Sequence, residues 1–302
     1  MLAYETVDEA SAALGRPLTV LETLWFNYSA VKSDYFLFIH TLFFMCVIFT
    51  FLPPMYLLLG HLDDKMHSYK IQPMAKLSLS ENLRGYRNVM CMFLLLVGPL
   101  QLLSFPSLKM IGLRTSLPLP SLGEVLAQLV VYFIVEDYAY YWLHRFLHCK
   151  WAYEKIHRVH HDYTAPMGYA SLYTSWSELL LTGAVSYVGP AVAPGHMITL
   201  WVWIVLRLVE SIETHSGYDF PWTPTKWIPF YGGAEFHDYH HYVGGQSQSN
   251  FGLVFTYCDY IYGTDKGYRY QKKISKEWKD GVKSAGLQNG GSYNRSIEYK
   301  SD

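Results

Sequence analysis

The sequence predicts an all-α integral membrane protein, a helical bundle of about four to five membrane helices or hairpins with a cytosolic, histidine-rich helical cap. Three observations lead to this fold class. Only 16% of the 302 residues are charged, against about 25% in an ordinary soluble domain. Three long stretches contain no Asp, Glu, Lys or Arg. Most of the 13 histidines fall into short clusters, and a membrane segment alone does not explain them.

Composition also excludes several functions. Lys and Arg number 24 against 25 Asp and Glu, so the net charge is −1 and no basic surface is left for nucleic acid. The four cysteines lie far apart with no Cys-x-x-Cys pair, which argues against a disulfide scaffold or a zinc ribbon and favours a reducing compartment. The acidic N-terminus has no positive segment before an apolar run, so we expect no cleaved signal peptide.

The first two charge-free stretches, 35–62 and 88–108, predict membrane helices. About 18 uncharged apolar residues are enough to cross the hydrocarbon as a helix. Pro53 and Pro54 are expected to kink or divide the first helix. Pro99 suggests that the second helix is broken or re-entrant.

Two further membrane elements follow along the chain. Residues 122–143 predict an apolar helix whose second half leaves the membrane at an aromatic band. The stretch 179–206 carries glycine and proline near its middle, so we interpret it as a helical hairpin with arms at about 178–190 and 196–212. Lysines and arginines after the first element and in the C-terminal tail place both flanks of this hairpin on the cytosolic side.

Eight histidines form three clusters with metal-ligand spacing. On a helix, positions i, i+3 and i+4 share one face, so each cluster can present two or three imidazoles to one point. His215, just past the hairpin, is a plausible ninth ligand beside them. The candidate metal ligands are therefore His144, His148, His157, His160, His161, His215, His237, His240 and His241.

Eight or nine imidazoles exceed what one tetrahedral zinc ion can use, and they divide naturally between two ions. Imidazole suits iron, zinc, copper and nickel. A redox-active pair in a membrane protein favours iron and dioxygen chemistry, whereas a zinc pair would be hydrolytic or structural, and the spacing leaves both open. Metal-bound imidazoles usually donate their second N–H to a carboxylate or carbonyl. The nearby candidates are Asp162, Glu178, Glu213, Glu235 and Asp238.

The isolated histidines call for no metal. His40, His61, His67 and His196 lie outside the clusters, and we interpret them as core or interfacial side chains.

The histidine clusters and their flanking segments resemble a known superfamily. The clusters match the three histidine boxes of the fatty acid hydroxylase and sterol desaturase superfamily. The segments KIHRVHHDYTAPMGYA, ETHSGYDFPW and PFYGGAEFHDYHHYVGGQSQSNF resemble the plant sterol C-4 methyl oxidases. Within them, GGQSQSNF resembles the branch that acts on 4,4-dimethylsterols more than the branch that acts on 4α-monomethylsterols.

This resemblance implies an endoplasmic-reticulum enzyme with a histidine-bound non-haem di-iron centre. It implies oxidation of the C-4 methyl group, via hydroxymethyl to carboxylate, with O2 and electrons from NAD(P)H through cytochrome b5 and its reductase. A separate C-4 decarboxylating dehydrogenase would act next. Residues 1–121 would then anchor the protein through two apolar spans, 122–272 would form the catalytic domain, and 273–302 would be a polar, disordered tail.

Several readings stay open from the residues. The boxes alone do not separate methyl oxidation from sterol desaturation, fatty acyl hydroxylation or aldehyde decarbonylation, because the pocket decides which C–H bond faces the metal. A non-redox dizinc centre in a lipid-binding membrane protein is the alternative from another class. A sterol would enter laterally from the bilayer, into a cleft that aromatic side chains could line: Tyr138, Tyr140, Tyr141, Trp142, Tyr169, Tyr173 and Trp176.

A basic surface could receive the electron donor. Arg145, Lys150, Lys155 and Arg158 could meet an acidic carrier, or could serve only to set the membrane orientation.

Overall fold

The computed structural model describes residues 4–62, 66–75, 78–243 and 248–284. Within these ranges every regular element is a helix, and the only sheet-like pairings are isolated bridges such as Lys70 with Tyr218. The predicted all-α class is therefore confirmed. The nineteen short and long elements form a bundle with the histidines gathered at one end of it.

Three helices open the chain: α1 (Val7–Leu14), α2 (Val20–Ser29) and α3 (Asp34–Leu62). The α2 N-terminus is fixed by a capping box, in which Thr19 and Glu22 satisfy each other's backbone N–H groups. Pro53 and Pro54 lie inside α3, yet the helix runs on to Leu62. The expectation that they might divide this segment is wrong.

The second apolar segment is one long helical unit. Helix α4 (Leu79–Met92) passes through a π-helical turn at Phe93–Val97 into α5 (Gly98–Met110). The wider turn lies directly before Pro99, where a normal α-turn would lose a hydrogen bond and collide with the proline ring. The segment is therefore bulged at Pro99 and not broken. Whether it is re-entrant stays a prediction.

Two of these helices are long and apolar enough to cross a membrane. They are Asp34–Leu59 and Leu79–Met110, and only 11% and 28% of their most apolar windows are buried inside the protein. Their outward surfaces are thus apolar, as a helix surrounded by lipid requires. The full number of spans and the cytosolic orientation stay predictions.

The remaining bundle helices lie close to their predicted bounds. Helix α6 (Leu122–Leu147) is capped by Ser121, whose side chain accepts from the Glu124 N–H. The predicted hairpin is present as α8 (Trp176–Ser186), the short α9 (Val188–Val192) and α10 (Met197–Thr214).

The remaining described elements are short, apart from the last helix. They comprise α7 (Lys150–Ala152), a π-turn at Tyr153–His157, α11 (Gly233–Val243), α12 (Tyr257–Tyr262) and α13 (Lys266–Ser284), with 3-10 turns at Met66–Tyr69, His160–Asp162, Gly168–Leu172 and Pro224–Trp227.

The C-terminal segment is more ordered at its start than its composition suggests. Helix α13 extends to Ser284, which places the first part of the predicted polar tail in a helix with Lys273 and Glu277 paired one turn apart. Residues 285–302 lie outside the described part of the chain. The domain boundaries themselves stay a prediction.

Helix α10 lies at the centre of the core. It packs most extensively against α3 and also contacts α6. Trp203 on α10 is fully buried, and its ring meets those of Tyr132 and Phe133 from α6 edge-on. On the other side of α6, a Cβ on Gly189 would lie 2.7 Å from the Tyr132 Cα. The hairpin can therefore approach α6 closely only because this position is glycine.

We predict that Gly189→Ala destabilises the fold by about 1–3 kcal/mol, because the added methyl group forces α9 away from α6. The matched control is Gly183→Ala on α8, where a Cβ meets nothing within 4 Å. This control should be neutral or stabilising by up to about 1 kcal/mol. Unfolding of both variants in detergent, followed by circular dichroism, measures the difference. Equal stability of Gly189→Ala and the unchanged protein would contradict the close approach.

Candidate metal centre

Helix ends and short turns carry the nine predicted ligands. His144 lies in the last turn of α6 and His148 is its C-cap, while His215 is the C-cap of α10. Helix α11 carries three more, and the turns after α7 carry the other three. All nine side chains are buried; the most exposed of them, His161, is only 7% accessible.

The structure brings all nine together, in two groups. Within each group the candidate ligand nitrogens lie within 4.8 Å of one another. One, the five-histidine group, contains His144, His148, His157, His161 and His240. The other, the four-histidine group, contains His160, His215, His237 and His241. That these residues bind metal stays a prediction, which the proposal below takes up.

The grouping differs from the expectation that each sequence cluster faces a single point. Histidines four apart belong to the same group: His144 with His148, His157 with His161, and His237 with His241. The third histidine of each cluster, His160 or His240, joins the opposite group. One reason is local backbone: His157 ends a π-turn and His160 begins a 3-10 turn, so no regular helical face is shared.

Hydrogen bonds at the outer nitrogens fix the orientation of five rings. A peptide carbonyl can only accept, so a ring bonded to one through Nδ1 carries its proton there and leaves Nε2 as a lone pair. Four Nδ1–H groups donate to carbonyls and one to a carboxylate: His144 to Phe251 O (2.9 Å), His215 to Ser211 O (2.8 Å), His240 to Ser249 O (2.7 Å), His241 to Tyr163 O (3.1 Å) and His157 to Glu178 Oε1 (2.7 Å).

The inner nitrogens then face one another with too few protons. In the five-histidine group, His161 Nε2 lies 3.1 Å from His157 Nε2 and 3.2 Å from His240 Nε2. Both neighbours present lone pairs, and one N–H on His161 can satisfy only one of them. The four-histidine group repeats the pattern, with His237 Nε2 at 2.8 Å from His215 Nε2 and 3.1 Å from His241 Nε2.

Other buried ring nitrogens lack any partner. Among the described residues, His144 Nε2 and both nitrogens of His148 make no hydrogen bond. An unpaired buried acceptor costs about 1–3 kcal/mol, and opposed lone pairs add repulsion. A cation in each group would accept all these lone pairs at once, so the donor set fits two metal ions.

The histidines are also held neutral, the form that binds metal. Burial lowers the pKa of His160 to about 4 and that of His240 to about 4. The pKa values of the other seven are lowered too, first by burial and then by the neighbouring imidazoles. Near pH 7 each of the nine rings is therefore neutral and keeps one nitrogen as a lone pair that can bind a metal ion.

The outer carboxylates follow the prediction only in part. Glu178 accepts from His157 as expected. Glu213 instead accepts hydrogen bonds from Tyr231 (2.6 Å) and Thr225 (3.1 Å), and Glu235 pairs with Lys272.

The isolated histidines behave as expected where the structure describes them. His40 bonds Tyr28 and the Phe36 carbonyl, and His196 packs its ring against Trp25. Neither belongs to the two groups. The side chain of His61 lies outside the described part.

A mostly apolar cavity of ≈ 380 Å³ reaches the four-histidine group through His160. Its walls come from the α4–α5 unit, α8 and α10, with leucines such as Leu96, Leu100 and Leu180 along them. Polar side chains lie among the lining, including Tyr140, Glu178 and Arg207. The volume is within the range of about 300–1,000 Å³ that is usual for small-molecule sites.

Most of the aromatic side chains suggested for this cleft lie elsewhere. Tyr140 lines the cavity, as predicted. Tyr138, Trp142 and Trp176 are exposed, while Tyr141 is buried against Phe251. Tyr169 and Tyr173 belong to the hydrophobic core. Leucines and other aliphatic residues line the cavity instead, and sequence periodicity could not distinguish them from lipid-facing residues.

An ion cluster that the sequence did not reveal lies at the cavity wall. Arg207 donates to Glu136 at 2.6 Å and also pairs with Glu210, and Ser186 donates to the other Glu136 oxygen at 2.6 Å. All three charged side chains are almost inaccessible. The sequence did contain a signal for this cluster: Glu136 lies in one apolar helix, and Arg207 and Glu210 lie in another. Buried charges in apolar segments usually pair with one another.

Comparison with known proteins identifies relatives over nearly the whole chain. A fatty acid hydroxylase family model matches residues 129–264. Methylsterol monooxygenase 1-1 of Arabidopsis thaliana is 61% identical over 294 residues, which cover 96% of this chain and 99% of that protein. Methylsterol monooxygenase 1-2 of the same plant is 61% identical, with the same coverage of both chains.

Rice relatives carry a different name. Very-long-chain aldehyde decarbonylase GL1-10 of Oryza sativa subsp. japonica is 61% identical over 280 residues, covering 92% of this chain and 93% of that protein. No solved structure matches this chain significantly.

We predict that His160→Ala, His215→Ala and His240→Ala each lower the bound metal and reduce turnover at least ~100-fold, because each removes a convergent lone pair. His40→Ala, outside both groups, should keep full metal content. Atomic emission analysis of the purified variants gives the metal per chain. Unchanged metal content in His160→Ala and His240→Ala would contradict the two-group site.

Proposed function

This chain belongs to the fatty acid hydroxylase family, and on that premise we propose that it is a methylsterol monooxygenase that oxidises a C-4 methyl group of 4,4-dimethylsterols. The observation that carries the proposal is the two-group histidine site at the end of an apolar cavity. Two relatives of the same name, each 61% identical over nearly their full lengths, support the reaction.

We propose that the nine histidines hold two iron ions, five rings around one ion and four around the other. When bound, such a pair supplies the activation of dioxygen that attack on an unactivated C–H bond requires. The protein's own groups bind and orient. The acceptors at Nδ1 keep five of the nine rings in one plane and one tautomer, and burial keeps water away.

The overall reaction needs an outside reductant. Each oxygenation puts one oxygen atom of O2 into the methyl carbon and releases the other as water, and it consumes two electrons and two protons. Repetition converts the methyl group to hydroxymethyl and finally to carboxylate. We infer that NAD(P)H supplies the electrons through cytochrome b5 and its reductase, as the family resemblance implies.

The cavity suits a sterol. Its leucine-rich wall would bind the apolar rings, and the wall includes the α4–α5 unit, one of the two candidate spans. A sterol could therefore enter from the hydrocarbon without crossing water. Tyr140 and Ser211 also line the cavity and offer hydrogen-bonding partners for the hydroxyl group that adjoins C-4.

The proposed substrate branch rests on the segment GGQSQSNF, whose residues 244–247 lie outside the described part.

The segments that carry the histidines also present a basic surface. Arg145, Lys150, Lys155 and Arg158 are all exposed. No salt bridge occupies them within the ranges that the structure describes. We propose that this surface docks the acidic electron carrier close to the metal pair.

The family and the apolar helices support the setting that we propose. We place the protein in the endoplasmic reticulum membrane as a multi-pass protein with its histidines on the cytosolic side. A C-4 decarboxylating dehydrogenase would consume its carboxylate product.

A second candidate is aldehyde decarbonylation, which the name of the rice relative favours. The same metal site could serve either reaction. The substrates differ in shape, because a rigid fused-ring sterol and an extended acyl chain fill a cavity differently.

We predict that the iron-loaded protein in nanodiscs, given NADPH, cytochrome b5 and its reductase, converts a 4,4-dimethylsterol to hydroxymethyl and carboxy products. A 4α-methylsterol should react about tenfold or more slowly, because a missing methyl contact costs at least that factor. A very-long-chain aldehyde, tested in parallel, should give no alkane. Mass spectrometry measures all three. Alkane formation without sterol oxidation would favour the second candidate and contradict the first.

A further inference from the structure

An irregular backbone segment, residues 249–255, lies directly beside the five-histidine group. Its Ser249 carbonyl accepts from His240 Nδ1 at 2.7 Å and its Phe251 carbonyl from His144 Nδ1 at 2.9 Å. The buried Phe251 ring also packs against His144 and His148, with centroids 5.7 Å and 5.4 Å away. This segment therefore sets the orientation of several rings in that group.

Two carboxylates hold the segment from opposite sides. Asp259 accepts the Phe251 N–H at 2.8 Å through Oδ1 and the Gly252 N–H at 2.6 Å through Oδ2. Its Oδ1 also accepts the Thr264 hydroxyl at 2.6 Å. Asp137, on α6, accepts the Val254 and Phe255 N–H groups at 2.8 Å and 3.0 Å.

Asp259 is fully buried, and all three of its contacts are donors. Both of its oxygens accept, so one carboxyl group holds two adjacent loop amides and the Thr264 hydroxyl at once. Within the ranges that the structure describes, no salt bridge neutralises it. The hydrogen bonds of this buried carboxylate therefore stabilise the conformation of the loop.

The neighbouring residues are fitted to this contact. A Cβ on Gly252 would lie 2.3 Å from the Phe255 carbonyl oxygen and 2.7 Å from Asp259 Oδ2, so only glycine allows the carboxylate to approach. Asn250 adopts the left-handed region at φ 58° and donates from Nδ2 to the Phe236 carbonyl at 2.9 Å. Phe236 precedes His237 on α11, so the segment is tied to that helix as well.

We propose that Asp259 is a positioning residue of the five-histidine group, acting through the backbone carbonyls of Ser249 and Phe251 on His240 and His144. This inference rests on the proposed metal site and adds the group that orients it. The neutral amide of Asn at this position would offer one acceptor and one unwanted donor, so a loop N–H would lose its partner. The two carbonyls would then shift, and the two rings with them.

The four-histidine group provides an internal control. Its ordered rings donate to Ser211 on α10 and to Tyr163, neither of which belongs to the segment that Asp259 holds. The effect of changing Asp259 should therefore fall on one metal ion and not on both.

The test compares three variants of the full-length protein in nanodiscs. Asp259→Asn removes the charge at nearly constant size. Thr264→Val removes one donor to Asp259 and is the milder change, which keeps the test decisive if Asp259→Asn does not fold. Asp265→Asn is the matched control, because Asp265 is also buried but pairs with Arg269 of α13.

Cobalt(II) titration of the metal-depleted proteins, followed by visible absorption, measures the two sites. His148→Ala and His215→Ala identify which spectral phase belongs to which group. We expect Asp259→Asn to weaken binding in the five-histidine phase at least ~10-fold and to change its spectrum, with the other phase unchanged. Thr264→Val should weaken the same phase less, and Asp265→Asn should weaken neither.

Two results would overturn the inference while leaving the metal site intact: unchanged affinity in both phases of Asp259→Asn and Thr264→Val, or equal weakening of both phases. Absence of any cobalt binding by the unchanged protein would instead contradict the proposed site itself.

Discussion

Nine neutral imidazoles crowded into one buried volume are the interaction on which the rest of this structure depends. Their Nε2 atoms approach to 2.8–3.4 Å with fewer protons than acceptors. Each unpaired buried acceptor costs about 1–3 kcal/mol, so this arrangement destabilises the folded protein unless cations bind the lone pairs. Four carbonyls and Glu178 hold the outer nitrogens of five rings, which leaves those rings little freedom to turn away.

The helical bundle places this cluster where an apolar substrate can reach it. Helices α6 and α10 each end in a candidate ligand, His148 and His215, so the same elements that form the bundle carry the site. The cavity extends from His160 between α8, α10 and the α4–α5 unit. Contacts that stabilise the bundle, such as that of Gly189 with Tyr132, therefore also help to set the geometry of the site.

The spacing of the histidines identified eight of the nine residues that the structure brings together, because residues three or four apart on a helix lie near one face. His215 was identified by its place just past the predicted hairpin. The division into five and four was not predictable in this way. His160 and His161 are adjacent yet belong to different groups, and so are His240 and His241 on the regular helix α11, because adjacent side chains point in different directions. Asp137 and Asp259 were also missed. Their partners are backbone amides, which no side-chain pattern reveals, and Asp137 is 117 residues from Val254.

The most direct test of the account is anomalous diffraction or an equivalent element-specific map of the iron-loaded protein. We predict two iron peaks, one enclosed by the five-histidine group that contains His144 and His240, the other by the four-histidine group that contains His160 and His215. A single peak, or two peaks ligated mainly by carboxylates away from these rings, would contradict it.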